Sequence, residues 1–168
     1  MTPRVLTVGH SSREININTF MPFDDFTWSA RCLDDETLAE QREDTLQIMH
    51  HLLIDGGGAI ANDPAVKMWE GHERALLAYQ QAVCHEWSSV RGFEDRIWDS
   101  TRLMFLDIVV DPMATPLIPP PWMGNVDFHI SHQSNLLRKN EEHYRKWFPG
   151  IKTDHPYIWP VKPIKEKT

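Results

Sequence analysis

The stretch from Asp35 to Ile54 constrains this chain most, because its start, its periodicity and its end are all legible in residues. Asp34 and Asp35 offer carboxylates to the unpaired N–H groups of a first helical turn. Leu38, Thr45, Leu46, Met49, Leu52 and Leu53 then recur at helical spacing. Gly56-Gly57-Gly58 ends the run, since glycine accepts the left-handed backbone of a C-terminal cap. No lysine follows these glycines, so they are not a phosphate loop of the nucleotide-triphosphate type. The pattern predicts a long helix that must bury one face against other elements.

Most of the remaining chain offers further helices. Residues 1–17 read as an N-terminal extension, with a strand-like run at Val5-Leu6-Thr7-Val8 and turn chemistry at Gly9-His10-Ser11-Ser12. Asn18 to Phe23 is extended and apolar, and Asp24 or Asp25 caps a short helix through Leu33. Asp63-Pro64 starts another helix. Its stripe of Val66, Trp69, Glu73, Leu76, Leu77, Gln80, Val83 and Trp87 predicts one run kinked at Gly71 and closed by Arg91-Gly92. A further helix is expected from Phe93 to Phe105. Five prolines between Asp111 and Trp122 impose an extended crossing segment. Asp127 is expected to cap a helix through Lys139, and Asn140 a short one from Glu141 to Trp147. The end carries Pro149, Pro156, Pro160 and Pro163 and is extended.

Strand signals are few and no internal repeat is present. The expectation is therefore an all-α, single-domain bundle of about five to six helices over residues 18–161, with a basic tail at 162–168. A chain of 168 residues suffices for one buried core.

The net charge of −7 argues against a general nucleic-acid binder. The charge is uneven, however. Residues 129–168 hold eight Lys/Arg against four acids, whereas residues 1–128 hold nine against twenty. A basic end on an acidic body suits phosphate contact at one face, or is simply a solvated helix face with a loose terminus. Two cysteines, Cys32 and Cys84, are too few for a disulfide framework and read as reduced and packed. No apolar run approaches a membrane span and no signal peptide is visible, so the cytoplasm is the default compartment.

Three groups of side chains can carry chemistry. Arg42, Glu43 and Asp44 are consecutive, and helical residues point about 100° apart, so they diverge. Asp44 shares a face with Gln41 and Gln47, and Glu43 with Gln47 and His50. A carboxylate beside a cleft can act as general base or stabilise a cationic sugar-like transition state; the alternative is a pair of solvated surface acids. His129 and His132 can face one ligand, with His143 approaching from the next helix. They lack the spacing of a zinc signature, so hydrogen bonding in a cleft or simple packing is the expectation, and neither metal nor cofactor is assigned. Arg138 and Lys139, with Tyr144, Trp147 and Trp159, form the third group. There the cation suits a phosphate and the ring a base face; the alternative is tryptophans closing the core with the cations outside.

These residues carry a resemblance. Thr19-Phe20-Met21-Pro22-Phe23, Gln41-Arg42, Pro64-Ala65-Val66-Lys67-Met68-Trp69, Gly71-His72-Glu73, Ala75-Leu76 with Tyr79, Glu86-Trp87, Ser131-His132, Ser134-Asn135-Leu136, Arg138-Lys139 and Pro156-Tyr157-Ile158-Trp159-Pro160 occur in a specific order. Over residues 18–161 the chain resembles the bacterial and phage pyrimidine dimer DNA glycosylases of the phage endonuclease V type. The resemblance implies an all-α domain that engages double-stranded DNA and cuts an N-glycosidic bond, with possible AP lyase activity. In the phage enzyme the terminal amine attacks the anomeric carbon, a Schiff base forms, and a helix glutamate assists.

Carried onto this chain, the resemblance implies Asp44, with Glu43 beside it, as the catalytic acids. Arg42, His132, Asn135, Arg138, Lys139 and Trp159 become the groups that position phosphate or base. The chain departs from the family in three places. Gln41-Arg42-Glu43-Asp44 stands where the family has Gln-Arg-x-Glu, so its acid is one methylene shorter. Asp63 replaces a histidine before the helix-opening proline. Residues 1–17 precede the family's usual start near Asn18 and move the terminal amine away from its family position. Two other classes remain open: a non-catalytic nucleic-acid or partner-binding module on the same fold, and an enzyme acting on a free nucleotide or nucleoside.

Overall fold

Acidic side chains start the first two helices. The computed structural model describes residues 17–58, 60–108 and 116–160, and the side chains of these apart from 105–108. The strand-like run and turn expected within residues 5–12, the tail 162–168 and residues 111–115 of the proline-rich crossing lie outside the described residues. Asp25 caps α1 (Phe26–Arg31), its carboxylate accepting from the Trp28 N–H. Asp34 caps α2 (Asp35–His50) by accepting from the Thr37 N–H at 2.9 Å. A π-helical turn, His51–Asp55, carries the helix on until Gly56 ends it at φ +49°. The expected span and glycine stop of this helix are thus borne out.

The helix expected after Asp63 is not one kinked run. Asp63 caps α3 (Pro64–Lys67), and α4 (Glu73–His85) begins after a break. Gly71 lies in the break at φ +77°, a conformation no right-handed helix can pass through, so the glycine divides the run instead of bending it. This division helps explain why seven α-helices are found among the described residues rather than five or six. Of the stripe, Val66, Trp69, Leu76, Leu77, Gln80, Val83 and Trp87 are buried, whereas Glu73 is only partly so. A π-helical turn, Glu86–Val90, follows α4.

The next helix, α5 (Ile97–Ile108), starts later than Phe93, where the Asp95 carboxylate accepts from the N–H groups of Ile97 and Trp98. The cap of α6 (Val126–Lys139) is Asn125, which accepts from the Phe128 N–H, and not Asp127. Asp127 lies in the first turn, where a carboxylate still suits the positive helix end. Asn140 caps α7 (Glu141–Tyr144) as expected, but the helix stops short of Trp147. Residues 116–120 are neither helix nor strand, and the chain from 151 to 160 likewise carries no helix or strand. No helix among the described residues is long and apolar enough to cross a membrane.

The α4 helix lies at the centre, with α1, α2 and α5 packed on it. Trp69 stacks on Tyr79 and meets Trp122 edge-on at 4.9 Å. Cys32 and Cys84 are free and buried, and burial pushes both thiols well above their usual range.

The α6 helix does not lie directly against the polar stripe of α2. Instead the extended segment 17–23 runs between them, donating the Phe20 N–H to Gln41 on α2 and the Met21 N–H to His132 on α6. An extended backbone has peptide groups on both sides to satisfy, and one polar side chain from each helix does so. Lys139 and Glu40 also bridge the two helices, through an ion pair at 3.1 Å.

Candidate active site

The site is built around a backbone segment. Gln41 is buried on α2; its Nε2 donates to the Asn18 carbonyl and its Oε1 accepts from the Phe20 N–H, both at 2.6 Å. The Tyr79 hydroxyl lies 2.8 Å from both the Phe20 carbonyl and Gln41 Oε1, anchoring the same clamp to α4. Burial raises the Tyr79 pKa well above its ordinary value, which keeps the hydroxyl a donor. One turn further along α2, Asp44 Oδ2 accepts the Asn18 N–H at 3.3 Å. Asp44 is only partly buried, so its carboxylate lies at the edge of the polar cluster rather than sealed within it.

The other wall comes from α6 and the C-terminal segment. Tyr157 donates to Asn18 Oδ1 at 2.8 Å, and its oxygen is 3.3 Å from His132 Nδ1. The same Nδ1 accepts the Met21 N–H at 2.9 Å, so the ring proton resides on Nε2, which is buried without a partner among the described residues. Burial lowers the His132 pKa to about 3, with a smaller contribution from His129, and the ring is neutral near pH 7. Trp159 packs on Tyr157 with ring centroids 4.5 Å apart and is half-buried. A continuous path therefore runs from Asp44 through Asn18 and Tyr157 to His132. A half-buried carboxylate ending such a path can stabilise a neighbouring cation or take a proton from water.

The remaining predicted residues are placed differently. Glu43 is exposed. Arg42 lies about 200° around α2 from Asp44. Its guanidinium pairs with Asp95 and covers the Trp87 ring at 4.4 Å. Lys139 pairs with Glu40 and lies 5.7 Å from the centre of the Phe20 ring. Arg138 donates to the carbonyls of Thr153 and His155 at 2.6 and 3.0 Å, and Asn135 Oδ1 accepts from its other Nη at 3.4 Å. The histidines once weighed as a ligand set are engaged with backbone. His129 accepts from the Gly124 N–H and meets the Met21 carbonyl at 2.8 Å, while His143 reaches the Cys32 carbonyl at 2.9 Å. Asp44, His132 and Trp159 thus come together, Lys139 stands nearby, and Arg42 and Arg138 are tied elsewhere.

Residues 17–99 match the family model described as pyrimidine dimer DNA glycosylase. This segment carries that family's sequence pattern. No curated protein and no solved structure matches it. The glycosylase match begins at Ile17, next to the residue whose amide rests on Asp44, and takes in Gln41, Asp44 and Tyr79.

Sequence reasoning gave no role to Asn18, Tyr79 or Tyr157. Tyr79 and Tyr157 stood within the ordered motifs that carried the resemblance, and that was the available signal. Their part depends on contacts 59 and 139 residues apart in the chain, to which helical spacing is blind.

Proposed function

We propose that this chain excises a base from damaged double-stranded DNA, the pyrimidine dimer being the substrate that the family match suggests, with Asp44 as the catalytic carboxylate. The observation that carries this reading is the contact between Asp44 Oδ2 and the Asn18 N–H, at the point where the family match begins.

The chemistry follows from what that nitrogen is. In the intact chain it belongs to the Ile17–Asn18 peptide bond, and its lone pair is delocalised into the carbonyl. It cannot attack a sugar. The nucleophile is then water: the N-glycosidic bond breaks, its electron pair leaves with the base, and C1′ becomes cationic. Asp44 stabilises that charge and takes the proton of the water that adds to C1′. In a chain beginning at Asn18 the same nitrogen is an amine. It can form a C1′–N bond as the base departs; the C1′–O4′ bond then opens, nitrogen losing a proton and O4′ gaining one, to give the imine from which AP lyase chemistry proceeds. Glu43, exposed on the next helical position, is the auxiliary acid.

The test is cleavage of the N-glycosidic bond in a duplex carrying a single pyrimidine dimer, read as an alkali-labile abasic site, since the detached base stays joined to its dimer partner. Asp44→Asn keeps shape and hydrogen bonding but removes the charge, and should lower the rate by about 10² to 10³. A wild-type rate in Asp44→Asn would overturn the assignment.

A second reading draws on a specific observation. Arg42, Arg138 and Lys139, the cations expected to take phosphate, are all engaged within the protein. An enzyme for a free nucleotide or nucleoside has less need of a duplex-binding surface. Binding that is insensitive to salt would favour that reading, because a duplex binder releases counterions and weakens steeply as salt rises.

A further inference from the structure

The C-terminal segment is attached to α6 in a way that serves one side chain. Ser134 donates its hydroxyl to the Lys152 carbonyl at 2.7 Å and accepts the His155 N–H at 3.1 Å. Arg138 holds the carbonyls of Thr153 and His155. Ser131 accepts the Ile158 N–H at 3.2 Å. These side chains lie on α6 at helical spacing, and between them they fasten residues 152–158 as a strap along the helix. The one strap residue whose polar atom reaches the Asp44 site is Tyr157, its ring packed between His132 and Trp159.

We propose that Tyr157 is a positioning residue for Asp44, acting through Asn18, and that Arg138 pins the strap that seats it. This rests on the glycosylase reading of the Asp44 site. Asn18 is held at three points: its carbonyl by Gln41, its N–H by Asp44 and its side-chain oxygen by Tyr157. The first two come from α2, and among the described residues the third alone fixes the side chain. With the Tyr157 hydroxyl gone, Asn18 keeps its carbonyl anchor but can rotate, and the N–H to carboxylate contact, already long at 3.3 Å, loosens. Arg138 belongs to the same device, since its strongest contacts are carbonyls of the strap and not solvent-facing space.

Tyr157→Phe keeps the ring and its packing and removes only the hydroxyl. On dimer-containing duplex it should lower kcat by about tenfold, the scale of one lost hydrogen bond, with KM within about twofold. Arg138→Ala should do the same with an unchanged salt slope, and Arg138→Lys should recover part of the loss. Loss of a phosphate contact would instead flatten the slope by about one unit. A second measurement needs no activity. Amide hydrogen exchange at Asn18 should accelerate by about tenfold or more in Tyr157→Phe and in Arg138→Ala, relative to Phe20, whose N–H is held by Gln41. Unchanged Asn18 exchange in both variants overturns the positioning role, whatever the catalytic result. Absence of glycosidic-bond cleavage by the wild type, with accelerated Asn18 exchange in the variants, sinks the glycosylase reading and leaves the strap device standing.

Discussion

His132 is neutral because of where it lies, and that has a measurable consequence. Its folded pKa, lowered to about 3 chiefly by burial, stands below the ordinary value of 6.5. Between those values the unfolded chain holds a proton that the folded chain lacks, so acidification favours unfolding. The stability linked to His132 is complete above pH 6.5 and is lost as the pH falls toward 3. The slope can reach about 1.4 kcal/mol per pH unit. Urea denaturation at pH 7, 6, 5 and 4 should show it. His132→Asn, which keeps an acceptor for the Met21 N–H, should flatten the curve over this range; an equally steep curve would refute the assignment. Asp34 acts at lower pH. Burial would raise its pKa, but hydrogen bonds from Thr37, Asn140 and Tyr144 outweigh that and bring it below 3.8. Its contribution is therefore present above that value and disappears further into acid. Little of this is visible in the order of residues. The chain shows that His132 follows His129 by one helical turn, but not that the Met21 backbone closes over both rings.

Among the elements, α2 was the most legible because its signals are local: a carboxylate at one end, a left-handed glycine at the other and an apolar stripe between. The break between α3 and α4 was less so. The same apolar spacing continues across Gly71, and only its φ of +77° shows that the helix does not. The layering of segment 17–23 between α2 and α6 was not legible, because extended backbone has no periodic signature and its partners lie far away in sequence. Gln41 is the hinge of that layer. Gln41→Leu fills the same space but strands the Phe20 N–H and removes the donor to the Asn18 carbonyl. Each buried polar group left unpaired costs about 1 to 3 kcal/mol, so the variant should lose at least ~2 kcal/mol in chemical denaturation. A loss below ~0.5 kcal/mol would mean that segment 17–23 is held by its apolar contacts alone.

For the whole molecule, the question is what residues 1–17 do to the chemistry. Ile17 is 4 % exposed and packs in the core, and the next residue presents its nitrogen to Asp44. The Ile17–Asn18 peptide bond therefore keeps that nitrogen an amide. A protein produced from a cleavable fusion so that it begins at Asn18 would place an α-amine where the amide now lies, 3.3 Å from the carboxylate. The amine has a pKa near 8 in isolation, so a useful fraction is unprotonated at neutral pH. Borohydride trapping on abasic duplex should then increase relative to the full-length chain, and mass mapping should find the adduct on Asn18. Asp44→Asn in the same truncated chain should reduce it. The truncation also removes the buried Ile17 side chain, at a cost of about 1.5 to 3 kcal/mol, so its melting temperature must be measured beside the trapping. If the full-length chain traps efficiently and the truncated one, still folded, does not, the extension itself carries the nucleophile, with a processed Thr2 as the first candidate. The contact between Asp44 and Asn18 would then be structural, and the reacting nitrogen would have to reach the carboxylate from elsewhere.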